Sequence, residues 1–162
     1  MTVTIRNMTE EEFEFFRRWS VKQQTRELME ELQMSHDAAA RKAAEEVAEM
    51  LPDGFRTENH TFLTVMAEEE NVGFLWAIDE EFEGEKQCFL CDFAIWEPHR
   101  RKGYGEAALC LAQAQAHAAG REKIVLFVRD NNHIARHLYE KCGYGFLRQE
   151  GYGRYMAKKL GV

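Results

Sequence analysis

Apolar positions change period once along the chain, dividing it into a helical first third and a strand-rich remainder. Residues 3–7 (VTIRN) read as a short strand. Thr9, with Glu12 three residues on, forms a capping box that opens a long helix. Within it Phe13, Phe16, Leu28 and Leu32 recur at helical spacing, with Glu, Arg and Gln between them. Ser35, His36 and Asp37 interrupt, and AAARKAAEEVAEML predicts a second helix stopped by Pro52 and Gly54. From residue 60 the runs HTFLTVMAE, NVGFLWAID and QCFLCDFAIW are rich in aromatic and branched residues and predict three strands. Asn71 and the acidic stretch 79–85 are the expected hairpin connections. An alanine-rich helix over 105–119 ends at Gly120. KIVLFVR is almost unbroken in its apolar character, which predicts a strand buried on both faces and therefore paired in parallel. Asn131 or Asn132 caps a helix over HIARHLYEKC, ended by Gly143, and YGFLRQ with GYGRYMAKKL closes the chain as a hairpin.

The order β-α-α-β-β-β-α-β-α-β-β predicts an α/β domain. Helical crossovers imply a parallel pair near the middle of a mixed sheet, and hairpins imply antiparallel pairing around it. At 162 residues this is one domain over 1–162, given roughly 150 residues per domain. A hydrophobic fraction of 45% with 30% charged residues excludes disordered and collagen-like classes. A chain of this size buries about 70% of its unfolded surface, so no disulfide or metal staple is required. Cys88, Cys91, Cys110 and Cys142 are too sparse for a secreted disulfide scaffold and fit a reducing compartment. No apolar run approaches the roughly 20 residues of a membrane span, and the N-terminus does not read as a signal peptide. The expectation is a cytoplasmic protein with no membrane partner.

The net charge of −7 argues against a nucleic-acid coat and hides an asymmetry. Residues 1–50 balance at −4, residues 51–97 at −10 and residues 98–162 at +7. A basic third beside an acidic one can serve an anionic and a cationic ligand in one fold, although solvated faces distribute charge in the same way.

The sharpest local signal is Arg100, Arg101, Lys102, Gly103, Tyr104 and Gly105, between an apolar strand and a helix. Glycines let backbone N–H groups approach a ligand, and the helix start supplies unsatisfied donors, so the segment reads as an anion site or simply as a tight turn. It is neither a Walker loop nor the longer dinucleotide fingerprint. Further on, Asn132, Ala135, Arg136 and Tyr139 share one helical stripe, with Ile134, Leu138 and Cys142 on the neighbouring, core-facing one. Singly, Asn132 reads as a cap and Tyr139 as a half-buried ring. Cys88 and Cys91 lie three apart on a strand and so face opposite ways, and His133 and His137 lack further ligands, so no metal is expected.

Together these segments resemble the GNAT N-acetyltransferase family, and a small bacterial branch of it. Its Arg/Gln-x-x-Gly-x-Gly/Ala motif falls on Arg100, Gly103 and Gly105. Its Asn-x-x-Ala…Leu-Tyr-Glu-Lys-x-Gly-Phe/Tyr motif falls on Asn132, Ala135, Leu138, Tyr139, Glu140, Lys141, Gly143 and Tyr144. The matched stretch spans about residues 89–146. The resemblance implies a mostly antiparallel sheet whose central parallel pair splays to bind coenzyme A. It also implies a layout of strand and acceptor-side helices over 1–55, a cofactor core over 60–146 and a terminal hairpin over 147–162. Acetyl-CoA becomes the expected cosubstrate: Phe93, Ala94 and Ile95 would supply backbone groups to pantetheine, and Arg100, Arg101, Lys102, Gly103, Tyr104 and Gly105 would hold the pyrophosphate. Asn132, with Ala135 leaving room beside it, would bond the pantetheine end, and Tyr139 would face the sulfur as general acid.

Such members acetylate a primary amine by direct attack through a tetrahedral intermediate. An amine of pKa near 10.4 must shed a proton before it attacks a thioester. Some members place a glutamate in the strand before the loop, where this chain has Phe89. Asp92 is then the catalytic candidate for the base, acting directly or through water, or else a structural acceptor for neighbouring N–H groups. Glu58, His60 and Glu97 are further candidates with no spacing argument behind them, and direct attack with water-relayed proton loss needs no dedicated base at all. The acidic segment points to a cationic acceptor. The alternative reading is a non-catalytic acyl-CoA sensor, and the oligomeric state, a homodimer included, stays open.

Overall fold

The computed structural model describes residues 2–161, so Met1 and Val162, the ends of the single-domain span, lie outside the described residues. The chain divides into two compact units, residues 8–58 and residues 1–7 with 59–162.

Residues 8–58 form a helical pair. Helix α1 (Glu10–Leu32) opens on the expected capping box: Thr9 Oγ1 accepts from the Glu12 N–H at 3.1 Å, and the Glu12 carboxylate accepts from the Thr9 N–H at 2.9 Å. Glu10, Glu11 and Glu12 in its first turn complement the helix dipole. Helix α2 (His36–Met50) is capped by Ser35. Leu28 packs against Ala39 and Ala43, whose small side chains let α1 and α2 come together. Phe13 and Phe16 are buried as predicted, whereas Leu32 is 54% exposed, because α1 overhangs its last layer of packing with α2.

The larger unit is a seven-stranded sheet. Its strands are β1 (Val3–Asn7), β2 (His60–Ala67), β3 (Glu70–Phe82), β4 (Glu85–Ile95), β5 (Lys123–Arg129), β6 (Gly145–Glu150) and β7 (Gly153–Lys159), in the order β1-β2-β3-β4-β5-β7-β6. Among the described residues β4 with β5 is the parallel pair and all other neighbours run antiparallel. The crossover between them is α3 (Tyr104–Ala118), and α4 (His133–Lys141) follows β5. One face of the sheet carries the main core, in which Leu63, Leu75, Leu90, Ile124 and Leu126 meet Ala108 and Leu109 of α3 and Tyr139 of α4. The helix from 133 is capped by Asn132, as one of the two expected alternatives.

The hairpins differ from expectation. The acidic stretch is strand rather than loop: β3 continues to Phe82, and Glu83 and Gly84, at φ 53° and 79°, make the turn. A two-residue turn with both central φ positive matches the twist of the strands it joins. Its acidic neighbours tolerate the strand because cross-strand partners meet them: Glu80 accepts from Gln87 Nε2 at 2.6 Å, and Glu85 pairs with Lys123 at 2.9 Å. Asn71 likewise lies inside β3, and Glu68 and Glu69 form the turn before it. On α4, Leu138 is partly buried and Cys142 packs against the core, but Ile134 is 81% exposed in the helix's first turn. Among the described residues no helix is long and apolar enough to cross a membrane.

Candidate active site

The site begins with a fault in one strand. Along β3 and β4, Ala77 faces Leu90 and Trp76 faces Asp92, so Cys91 is an extra residue with no partner position opposite it. Such a bulge inverts the alternation of side chains beyond it. Before the bulge, Cys88 and Leu90 lie on the α3 face; beyond it, Phe93 and Ile95 take that face and Asp92 is turned from it. The bulge therefore decides which side of the sheet receives the carboxylate.

Parallel pairing of β4 with β5 runs from Gln87–Lys123 to Leu90–Leu126 and stops at the bulge, although both strands continue. A wedge opens there. Trp96 N–H donates to Val72 O at 2.8 Å, and ladder alternation then turns the backbone groups of Asp92 and Ala94 toward β3 and those of Phe93 and Ile95 toward the gap. Ala94, expected to serve the ligand with its neighbours, thus has its N–H and C=O aimed at β3. The two wedge-facing residues have local partners: the Phe93 N–H donates to Asp92 Oδ1 at 2.9 Å, and Arg100 Nε donates to the Ile95 carbonyl at 2.8 Å. Gly73 lies across from Ile95, and a Cβ there would fall on the Ala94 carbonyl oxygen and the Ile95 side chain. Gly73→Ala is expected to displace β4 beyond the bulge and to cost about 1–3 kcal/mol, read as a lower urea midpoint at unchanged slope.

A single 3-10 turn (Glu97–His99) leads from β4 into the cationic loop. Arg101 and Gly103 adopt positive φ, 65° and 83°, with Lys102 between them on the other side of the map. Alternation between the two sides of the map is the backbone pattern of nests, in which successive N–H groups face one way. Gly103 is the N-cap of α3 and makes no side-chain capping bond, so the first-turn amides keep their donors. Arg100, Arg101, Lys102 and Gly103 are exposed, whereas the Tyr104 ring is buried in the core, which leaves its backbone N–H as the group able to face a ligand. Gly105 touches Leu138: a Cβ at 105 would sit 3.4 Å from it.

On α4, Asn132 Oδ1 accepts from the Ala135 N–H at 3.2 Å, so its amide N–H₂ is the end left to donate to a ligand. Ala135 packs against the core, and Arg136 pairs along the helix with Glu140 at 3.3 Å. Tyr139 is 7% exposed, its ring 5.7 Å from that of Tyr144. Its hydroxyl makes no hydrogen bond among the described residues, while Tyr144 Oη donates to Gln113 Oε1 at 2.9 Å. Burial holds the Tyr139 proton above the ordinary tyrosine range, and the negative charges of Asp92 and Cys142 add to the effect. The two catalytic candidates, from different elements, are therefore within electrostatic reach of one another.

A strand that parts from its neighbour before a helix start without a side-chain cap is the arrangement that the family resemblance implied. Residues 10–144 match the Acetyltransferase (GNAT) family. The chain belongs to the GNAT acetyltransferases. It is similar to the uncharacterised N-acetyltransferase YdgE of Bacillus subtilis, 32% identical over 145 residues that cover 89% of this chain and 92% of that one. The crystal structure of YycN, an uncharacterised N-acetyltransferase of Bacillus subtilis, superposes with a TM-score of 0.85 at 28% identity, covering 92% of this chain and 96% of that one. The PaiA N-acetyltransferase of Thermoplasma acidophilum, solved in complex with coenzyme A, shares the fold at a TM-score of 0.72 and 18% identity, over 98% and 99% of the two chains.

Against this GNAT framework the remaining candidates separate. His60 Nδ1 accepts the indole N–H of Trp76 at 2.9 Å. Trp is a donor only, so the ring proton of a neutral His60 sits on Nε2 and its basic lone pair is engaged. Burial lowers the His60 pKa as well, which makes it a poor base. Glu97 is exposed in the 3-10 turn, and Glu58 belongs to the 8–58 unit. Cys88 and Cys91 are each pushed up to about 12, first by burial, and the described residues contain no group of three or more ligands for a metal. The acidic hairpin tip at Phe82 and Glu85 lies about 20 Å along the ladder from Asp92, at roughly 3.3 Å per residue. The features that sequence reasoning missed are the bulge, the Arg100 bond to Ile95 and the engagement of His60. An aspartate following a cysteine inside an apolar strand was the one local sign of the bulge.

Proposed function

We propose that this GNAT acetyltransferase transfers an acetyl group from acetyl-CoA to a primary amine by direct attack. The parting of β4 from β5 after Leu90 and Leu126, followed in the chain by the positive-φ residues Arg101 and Gly103 before α3, is the observation that supports the reading. Pantetheine is a chain of amides, and the gap-facing groups of Phe93 and Ile95 suit it as a strand would. The pyrophosphate suits the loop and helix start, with Arg101 and Lys102 supplying charge. Arg100 is held to Ile95 O, so its contribution is to brace the strand end or to exchange that bond for phosphate.

The thioester carbonyl then reaches the Phe93 N–H, which Asp92 now occupies. Exchange of acceptors releases the Asp92 carboxylate from the Phe93 N–H as the carbonyl takes its place. The carboxylate, on the side of the sheet away from α3, meets the incoming ammonium there, accepts its proton directly or through water, and lets the neutral amine attack. The oxyanion stays on the Phe93 N–H. Collapse expels a thiolate whose pKa resembles that of cysteine, about 8.5. Since burial holds the Tyr139 proton tightly, Tyr139 gives it to sulfur as the nitrogen of the intermediate returns one to the Tyr139 oxygen through water, and Asp92 passes the first proton to solvent. The proton lost by nitrogen balances the one gained by sulfur, and the step needs no metal. The acceptor is read as a cationic amine because Asp92 meets it; the acidic hairpin tip is too distant to define it as a polycation.

Release of free thiol from acetyl-CoA across a panel of amines tests this directly. Turnover on at least one primary amine is expected, and binding of acetyl-CoA without turnover on any of them would overturn it in favour of an acyl-CoA sensor. Asp92→Asn keeps an oxygen for the Phe93 N–H and removes the charge. It is expected to lower kcat/KM for the amine by about 100-fold, within the usual range for a general base, and to leave the acetyl-CoA Kd within a factor of about two. Rescue of the rate at high pH, where more of the amine arrives already neutral, checks the assignment.

A further inference from the structure

Contacts between α3 and the segment that begins in α4 advance in step along both elements. Gly105 meets Leu138, Glu106 pairs with Lys141 at 3.0 Å, and Gln113 accepts from Tyr144 Oη at 2.9 Å. Cys110 stands one helical turn beyond Glu106 and one turn before Gln113, on the same flank of α3. Cys142 stands between Lys141 and Tyr144. The register that places 106 opposite 141 and 113 opposite 144 leaves 110 opposite 142. We propose that Cys110 and Cys142 are an oxidation site that closes a disulfide between α3 and α4. The proposal rests on this register and not on the acetyl-transfer reading.

The chemistry of the four cysteines supports the choice of these two. Cys110 is exposed and Cys142 partly so, whereas burial holds the thiols of Cys88 and Cys91 protonated. Cys142 is raised first by burial, then by Glu106 and by Cys110, while Lys158 and Lys141 oppose the shift. Gly105, without a side chain, leaves room for Leu138 at the start of this register. With a disulfide such as oxidised glutathione as oxidant, the Cys110 thiolate attacks it, forms a mixed disulfide and releases one glutathione. The Cys142 thiolate then attacks Cys110 Sγ, forming the internal bond and releasing the second glutathione. Two cysteine protons and two electrons pass to the oxidant, which leaves as two thiols.

The test is oxidation of the native, full-length protein with oxidised glutathione. Two thiols should react with an aromatic disulfide reagent before oxidation and none after it, and the intact mass should fall by two hydrogens with no glutathione retained. Trypsin should then yield residues 103–121 joined to residues 142–148, a link reversed by dithiothreitol. Tm should rise by about 5 °C, because the bond closes a loop of some thirty residues in the unfolded chain. Cys110→Ser and Cys142→Ser, each at a surface or half-exposed position, should abolish both the mass loss and the Tm rise. A stable glutathione adduct on Cys110 with Cys142 still free, a bridge to Cys88 or Cys91, or an unchanged thiol count would each overturn the proposal.

Discussion

Gly103→Asp is expected to weaken acetyl-CoA binding at least about 100-fold, measured by titration calorimetry on protein whose fold is verified by circular dichroism. Two effects act together. At φ 83° a side chain strains the backbone by about 1–3 kcal/mol, a cost the loop relieves by moving out of its receptor geometry. The added carboxylate also stands at the start of α3, where the first-turn amides have no side-chain cap and meet the pyrophosphate in the proposed complex. A like charge about 5 Å from phosphate at an effective dielectric of about 20 opposes binding by roughly 3 kcal/mol, which alone is about two orders of magnitude. Gly103→Ala separates the two: it keeps the strain, lacks the charge and should cost less than about tenfold. Unchanged affinity in the aspartate variant would remove the pyrophosphate from this loop.

Tyr139→Phe should lower kcat by about 100- to 1,000-fold while leaving the acetyl-CoA Kd within a factor of about two. Its hydroxyl has no protein partner to lose among the described residues, and the ring contact with Tyr144 survives, so stability should change by less than about 1 kcal/mol. The pH profile carries a second signature. A proton donor works below its pKa, and both burial and Asp92 push that of Tyr139 above the ordinary tyrosine range. Loss of rate through tyrosine ionisation should therefore not set in at pH 10, and any acid-side fall in rate belongs to protonation of the amine or of Asp92. An unaltered kcat in the phenylalanine variant would assign the proton to water instead.

Much of this was readable before folding. The Thr9–Glu12 box, the Asn132 cap and the position of Gly103 before α3 depend on residues within four places of one another, and local physics decides them. The unbroken apolar run over Lys123–Arg129 is likewise a direct consequence of burial between neighbours on both sides. The acidic stretch after Asp79 misled because charged residues favour loops on average, and only the cross-strand partners Gln87, Lys123 and Arg121 make a strand acceptable there. Leu32 and Ile134 kept the helical rhythm of their elements but lie past the last layer of packing, a boundary that rhythm does not encode.

The order of elements, the helix caps, the cationic turn and the residue types suited to acyl transfer were thus determined by the sequence alone, because each is a matter of neighbours along the chain. The side of the sheet on which Asp92 emerges, the gap toward which Phe93 and Ile95 turn, the engagement of His60 by Trp76 and the electrostatic influence of Asp92 on Tyr139 were decided by tertiary structure. The side of Asp92 and the turn of Phe93 and Ile95 depend on a single extra residue, Cys91, whose place in the ladder exists only once β3 is paired beside it. The His60 contact depends on the pairing of β2 with β3. Register is a relation between strands, and no stretch of one strand contains it.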